Sequence, residues 1–162
     1  MATYLVTGGA GFIGSHVCEA LVSRGEQVRV VDDLTTGRRE NLAHLDGVAL
    51  IIGDLTDPEV ADRAAAGVDY VVHLAAIPSV PGSIKDPLGS NHANVTGTLS
   101  LLVAARRHGV KRVVFASSSS VWYSSPGLNS SGSYCMKAGC SAIRRVTRKE
   151  SAATFRSSGV LR

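Results

Sequence analysis

The chain is poor in the features that mark several large classes of protein. It has only three cysteines, Cys18, Cys135 and Cys140. Three thiols cannot close a disulfide framework and their spacing matches no zinc site, so free thiols and no metal are expected. No run approaches the roughly eighteen apolar residues of a membrane span, and no positively charged start precedes an apolar stretch as in a signal peptide. The expectation is a cytoplasmic chain without a membrane partner. Asn94-Val95-Thr96 has the form of a glycosylation acceptor, which without secretion carries nothing. Aromatics are scarce as well, at 5%, and do not interleave with the basic residues. That bears on the net charge of +4, which invites a nucleic-acid reading. Residues 1 to 121 hold 10 Lys and Arg against 12 Asp and Glu, net −2, whereas 122 to 162 hold 7 against 1, net +6. The excess lies wholly in a tail that lacks a dense Lys/Arg run, and no nucleic-acid partner is expected.

What the chain does have begins almost at once. A hydrophobic content of 44% over 162 residues is enough for one globular core. Six residues that read as a strand run into Thr7-Gly8-Gly9-Ala10-Gly11-Phe12-Ile13-Gly14, and a helical pattern follows. Read from Gly9 this is G-x-G-x-x-G; read from Gly8, the glycines fall three apart at Gly8, Gly11 and Gly14. Both spacings serve one purpose. A pyrophosphate can sit on the amides of a helix N-terminus only where no Cβ blocks the backbone and the turn tolerates unusual φ/ψ. The next apolar stretch, Gln27 to Val31, ends in Asp32, eighteen residues beyond Gly14. That is close to the spacing of a carboxylate that holds adenosine ribose hydroxyls. Gly8, Gly11, Phe12, Ile13, Gly14 and Asp32 are therefore expected to bind a dinucleotide.

Along the chain, a helix from about Phe12 to Arg24 presents Ile13, Val17, Ala20 and Leu21 on one face and stops at Gly25. His16 and Cys18 on it read as packing or surface residues. The polar loop from Asp32 to Asn41 brings hydroxyls and Arg38 to where the adenosine should lie. A third strand, Val48 to Ile52, ends in Gly53-Asp54-Leu55, which reads equally as an adenine contact and as a strand-end turn. A fourth, Val68 to Leu74, is mostly apolar, as a parallel strand covered on both faces should be. It ends in His73-Leu74-Ala75-Ala76, where small residues let the backbone pass close to a cofactor and His73 reads as a hydrogen-bonded strand-end histidine rather than a base. A long helix then repeats Val95, Leu99, Leu102 and Val103. The fifth strand, Arg112 to Ala116, delivers Ser117 to Ser120 at its carboxyl end, where open parallel sheets bind ligands. The fold class is α/β, a single doubly wound, Rossmann-like parallel sheet in the order 3-2-1-4-5.

These stretches together resemble the extended short-chain dehydrogenase/reductase family, in particular its NAD-dependent UDP-glucose and UDP-N-acetylglucosamine 4-epimerases. The resemblance covers Thr7 to His16, Val31 to Leu42, Gly53 to Asp57, His73 to Ala76, Ser79 to Pro87, Asn94 to Thr98 and Phe115 to Val121. It implies NAD as cofactor, with Asp32 and Arg38 flanking the adenosine, Asp54, Leu55 and Ala75 beside the cofactor, and Asn94 supporting it. It also implies a UDP-sugar substrate contacted by Ser79, Ser83 and Ser120, and Ser118 as the catalytic serine. Homo-oligomerisation is left open. Dehydratases of the family carry an Asp-Glu pair after the serines; Ser119-Ser120-Val121 stands here, which favours an epimerase.

The implied mechanism needs a tyrosinate to take the sugar 4-OH proton, and a tyrosine that titrates near pH ~10 needs a nearby lysine to favour its anion. The family supplies Tyr-x-x-x-Lys. Here the later tyrosine reads Tyr134-Cys135-Met136-Lys137, with lysine at i+3, about 100° around a helix from the usual position. After Val121 the pattern changes, with nine serines from Ser124 to Ser158. Residues 1–121 are thus expected to form the NAD-binding core. Residues 122–162 are expected to form a less ordered, degenerate tail, for example one translated in a shifted frame, with no substrate domain. Two functions follow: an NAD-dependent nucleotide-sugar 4-epimerase working through a 4-keto intermediate, or a truncated NAD-binding module without turnover.

Overall fold

The computed structural model describes residues 1–117; Ser118, Ser120, Tyr134, Lys137 and the whole tail 122–162 lie outside them. Five parallel strands, β1 (Thr3–Thr7), β2 (Gln27–Asp32), β3 (Ala49–Ile52), β4 (Tyr70–His73) and β5 (Arg112–Phe115), form one sheet in the order β3-β2-β1-β4-β5, as the alternation of strand and helix patterns requires. Five α-helices accompany them: α1 (Phe12–Ser23), α2 (Pro58–Ala65), α3 (Val80–Lys85), α4 (Pro87–Asn91) and α5 (Gly97–Arg107). No helix among the described residues is long and apolar enough to cross a membrane.

Strand alternation divides the core in two. Leu5, Val31 and Val71 point to one face, where they meet Ala61, Ala64 and Ala65 of α2 and Leu101 and Ala104 of α5. Val6, Val28 and Val30 point to the other, against Ala10, Cys18 and Leu42. The alanines let α2 and α5 lie close to each other and to the sheet. Asp57 starts α2 by accepting the Glu59 N–H at 2.8 Å, with Pro58 preset for the first turn. Arg29 of β2 finishes it, donating from Nη1 to the carbonyls of Ala64 (3.0 Å) and Ala66 (2.6 Å). A cation on the last carbonyls of a helix satisfies orphan acceptors and complements the dipole.

Two helix faces differ from the periodicity of their apolar residues. On α1, Ile13 is 66% exposed, whereas Gly14, Ser15 and Cys18 are buried. The helix is turned so that Gly14, not Ile13, lies against the turn that precedes it. On α5, Leu99 and Val103 are exposed and Thr98, Leu101, Leu102 and Ala105 are buried. Val95, the first residue of that expected face, lies in a turn of π-helix, His92–Thr96, that precedes α5. A π turn holds one residue more than an α turn, so Val95 and Leu99 do not keep the spacing of an even helix.

Candidate active site

All five strands run toward the same edge, and β1 ends there at Thr7, paired with Val31 of β2 and His73 of β4. This is the edge at which the strand order reverses, the place where open α/β sheets bind ligands. The chain leaves β1 through Gly8, whose φ of +68° suits glycine. A Cβ there would stand 2.9 Å from the Ala75 amide nitrogen. Gly11 donates to the Gly8 carbonyl (3.1 Å) and begins α1, with no side-chain cap among the described residues. At Gly14 a Cβ would run into the Gly8 carbonyl oxygen and come within 2.6 Å of Gly9 Cα. The helix start is thus bare backbone pressed onto bare backbone, with Phe12 and Ile13 flanking it at 78% and 66% exposure. Such a cradle, closed to any side chain at Gly8 and Gly14, fits the pyrophosphate of a dinucleotide.

Asp32 lies at the end of β2 and is buried. Its Oδ2 accepts the Ala10 N–H at 2.9 Å and its Oδ1 the Leu34 N–H at 2.9 Å. One carboxylate therefore reaches the glycine-rich turn and the following loop together. Each oxygen keeps a second lone pair for a ligand hydroxyl. Leu34 holds a φ of +60°, unusual for a branched side chain, in the same loop.

Beside the cradle lies a buried polar chain spanning β1, β4 and α5. The Leu74 and Ala75 amides both donate to Thr7 Oγ1 at 3.1 Å. Thr7 Oγ1 is 2.6 Å from His73 Nδ1, and His73 Nε2 is 2.9 Å from Thr98 Oγ1, which donates to the Asn94 carbonyl at 2.7 Å. With the Thr98 proton committed to Asn94, Nε2 of His73 carries hydrogen and Nδ1 accepts from Thr7. Burial pushes the His73 imidazole down to about 4, so the ring is neutral near pH 7. His73 is the hydrogen-bonded strand-end residue its position indicated. The side chain of Asn94, in the π turn, clasps Ile77 by both ends: Oδ1 accepts from its N–H at 2.7 Å and Nδ2 donates to its carbonyl at 3.2 Å.

The geometry thus gathers Gly8, Gly11, Gly14, Asp32 and Ala75 at one edge, with Asn94 tied to the strand-end loop. Arg38 is exposed and donates its backbone N–H to the Ala10 carbonyl at 3.0 Å. Asp54 is exposed and folds its carboxylate onto the Thr56 amide at 2.8 Å, the turn that was one of its two readings. Leu55 is buried in the core, so any cofactor contact it makes runs through its backbone. Ser79 caps α3, accepting from Gly82 N–H at 3.0 Å, and Ser83 donates to the Val80 carbonyl at 2.9 Å. Thr7, Ala10, Asn41, whose Nδ2 donates to the Ala10 carbonyl at 2.7 Å, and Thr98 are the participants that motif spacing did not single out. Thr7 and Thr98 stand inside stretches that carry the family resemblance, but their partners are distant in sequence.

The model of the NAD dependent epimerase/dehydratase family matches residues 4–135. The chain belongs to that family. It is 45% identical over 111 residues to dTDP-glucose 4,6-dehydratase of Mycobacterium tuberculosis, covering 66% of this chain and 34% of the relative. It is 43% identical over 120 residues to UDP-glucose 4-epimerase of Azospirillum brasilense, covering 73% and 34%. Among solved structures, UDP-glucose 4-epimerase of Thermus thermophilus in complex with NAD aligns with a TM-score of 0.66 at 45% identity, covering 72% of this chain and 37% of that one. The chain thus spans about a third of the length of these relatives.

Proposed function

We propose that this chain binds NAD at the β1–α1 turn and epimerises a nucleotide sugar, a UDP-hexose or UDP-N-acetylhexosamine, at C4. The observation that carries the reading is the cradle: at Gly8 and Gly14 the backbone admits no Cβ, and Asp32 stands beside it with both carboxylate oxygens directed at the turn and the loop. Family membership supports it, and the 4-epimerase of Thermus thermophilus was solved with NAD. Bound NAD would supply a reversible hydride acceptor. Gly8, Gly11, Gly14 and the first amides of α1 would hold its phosphates, and Asp32 its ribose. In this reading Tyr134 takes the 4-OH proton, Lys137 favours the tyrosinate, Ser118 orients O4, and Ser79, Ser83 and Ser120 contact the sugar. The absence of an Asp-Glu pair after the serines favours epimerisation over dehydration. The second reading, a module that holds NAD without turnover, is favoured by the Tyr134 to Lys137 spacing of three.

An assay of UDP-galactose conversion with added NAD tests the first reading: UDP-glucose should accumulate. NAD binding without conversion would leave the second. Asp32→Ala should weaken NAD binding by about 1–3 kcal/mol, the cost of stranding hydrogen-bonding groups. The wild type should prefer NAD to NADP, because a carboxylate repels a 2′-phosphate. Calorimetric titration with both cofactors reads both effects; unchanged affinity in Asp32→Ala would reduce Asp32 to a strand end.

A further inference from the structure

Ala10 is fully buried in the middle of the glycine-rich turn, and both sides of its backbone are held from the segment after β2. Its N–H donates to Asp32 Oδ2 at 2.9 Å. Its carbonyl oxygen accepts twice, from the Arg38 N–H at 3.0 Å and from Asn41 Nδ2 at 2.7 Å. A carbonyl oxygen has two lone pairs, so this one is filled. Asn41 is itself held in the 3-10 turn Arg39–Leu42, donating its backbone N–H to the Arg38 carbonyl at 3.1 Å. Gly37 is pressed into the same place: a Cβ on it would stand 2.7 Å from Asp32 Oδ1 and 2.9 Å from Ala10 Cβ. Two side chains, Asp32 and Asn41, thus bracket one residue of the turn from opposite sides.

We propose that Asn41 is a positioning residue that fastens the glycine-rich turn to the loop after β2 and thereby sets the affinity for the dinucleotide; this rests on the cofactor reading above. Asn41 acts through Ala10. A turn already held in the shape that receives phosphate loses less freedom when the ligand arrives, and that difference appears as affinity. Asp32 serves the same turn but is also placed to meet the ribose, so its removal mixes two effects. Asn41 separates them.

The test uses Asn41→Leu, which keeps the size and loses the donor, and Asn41→Ala, which loses the amide without adding branched carbon. Amide hydrogen exchange in the full chain without ligand should quicken by about tenfold at Ala10 and Arg38, with Leu5 and Val30 in the sheet unchanged. NAD and ADP should bind about 5- to 30-fold more weakly, as expected for one lost part-buried hydrogen bond. Unchanged exchange at Ala10 and Arg38, or equal acceleration at Leu5 and Val30, would overturn the clamp. So would an unchanged NAD affinity in variants whose wild type binds NAD. A wild type that does not bind NAD would overturn the claim on affinity together with the cofactor reading, and the exchange result would still decide whether the fastening exists.

Discussion

Gly14→Ala is expected to abolish measurable NAD binding and to lower stability by about 3 kcal/mol, the upper end of what overpacking usually costs. The added Cβ would meet backbone on every near side: the Gly8 carbonyl oxygen, Gly9 Cα at 2.6 Å and the Gly8 carbonyl carbon at 2.9 Å. None of these atoms can step aside by changing a rotamer. Relief requires α1 to move away from the turn, which dismantles the cradle and loosens the packing of Cys18 with Val6, Val28 and Val30. Gly25 provides the comparison. Its φ is +76° but nothing lies within 4 Å of a Cβ placed on it, so Gly25→Ala should cost only the left-handed backbone penalty, about 1–2 kcal/mol, and leave NAD binding intact. Urea unfolding and calorimetry on the two variants make the check. Equal NAD affinity in Gly14→Ala and wild type would show that phosphate is not held at this turn.

The second large effect is on pH dependence. His73 is 3% exposed, and burial holds its pKa down to about 4 against an ordinary 6.5. A histidine depressed in the folded state is protonated first in the unfolded chain, so between pH 6.5 and 4 the unfolded state binds more protons. Stability is therefore whole above pH 6.5, falls as the pH drops toward 4, and levels off below. The loss from this residue amounts to about 3 kcal/mol, since a pKa that differs by one between folded and unfolded chains corresponds to about 1.36 kcal/mol. His73→Gln will carry a cost of its own at pH ~7, but its stability should fall less steeply than wild type over that window. Urea titrations at intervals across the window read the slopes; parallel curves for the two proteins would mean that His73 is not the group responsible. Thr7 and Thr98 make the neutral ring the better fit, because one nitrogen accepts from Thr7 and the other donates to Thr98.

Much of this was legible in the chain. Strand order followed from alternating patterns and the rules of crossover connection, because parallel strands covered on both faces announce themselves as short apolar runs. Gly8, Gly11, Gly14 and Asp32 could be read because their job depends on fixed local spacing. His73 was readable from its place at a strand end among small residues. The faces of α1 and α5 were legible only in part: Val17, Leu21 and Leu102 pack inward as expected, whereas Ile13, Leu99 and Val103 are exposed. Apolar periodicity takes each helix as an isolated cylinder, whereas on α1 the close approach of Gly14 to the Gly8 carbonyl turns Ile13 outward. Asn41 stands in a stretch that carries the family resemblance, but its role was not legible: its partner, the Ala10 carbonyl, lies 31 residues away, and a backbone acceptor has no sequence signature. The links from Thr7 to His73 and from His73 to Thr98 cross 66 and 25 residues, and only the folded sheet brings them into line.

The π turn has a consequence for how this stretch can vary in evolution. Asn94, in the π turn, faces Ile77, while Thr98, one turn later, faces His73. Removing one residue other than Asn94 between His92 and Thr96 would turn the wider turn into an even α-helix and leave Thr98, Leu101 and Leu102 facing the sheet, because the π turn holds one residue more over nearly the same rotation. Adding one would swing them about 100° away from the sheet. The segment can therefore accept many changes of residue type at its exposed positions and the loss of its one extra residue, but not a further insertion.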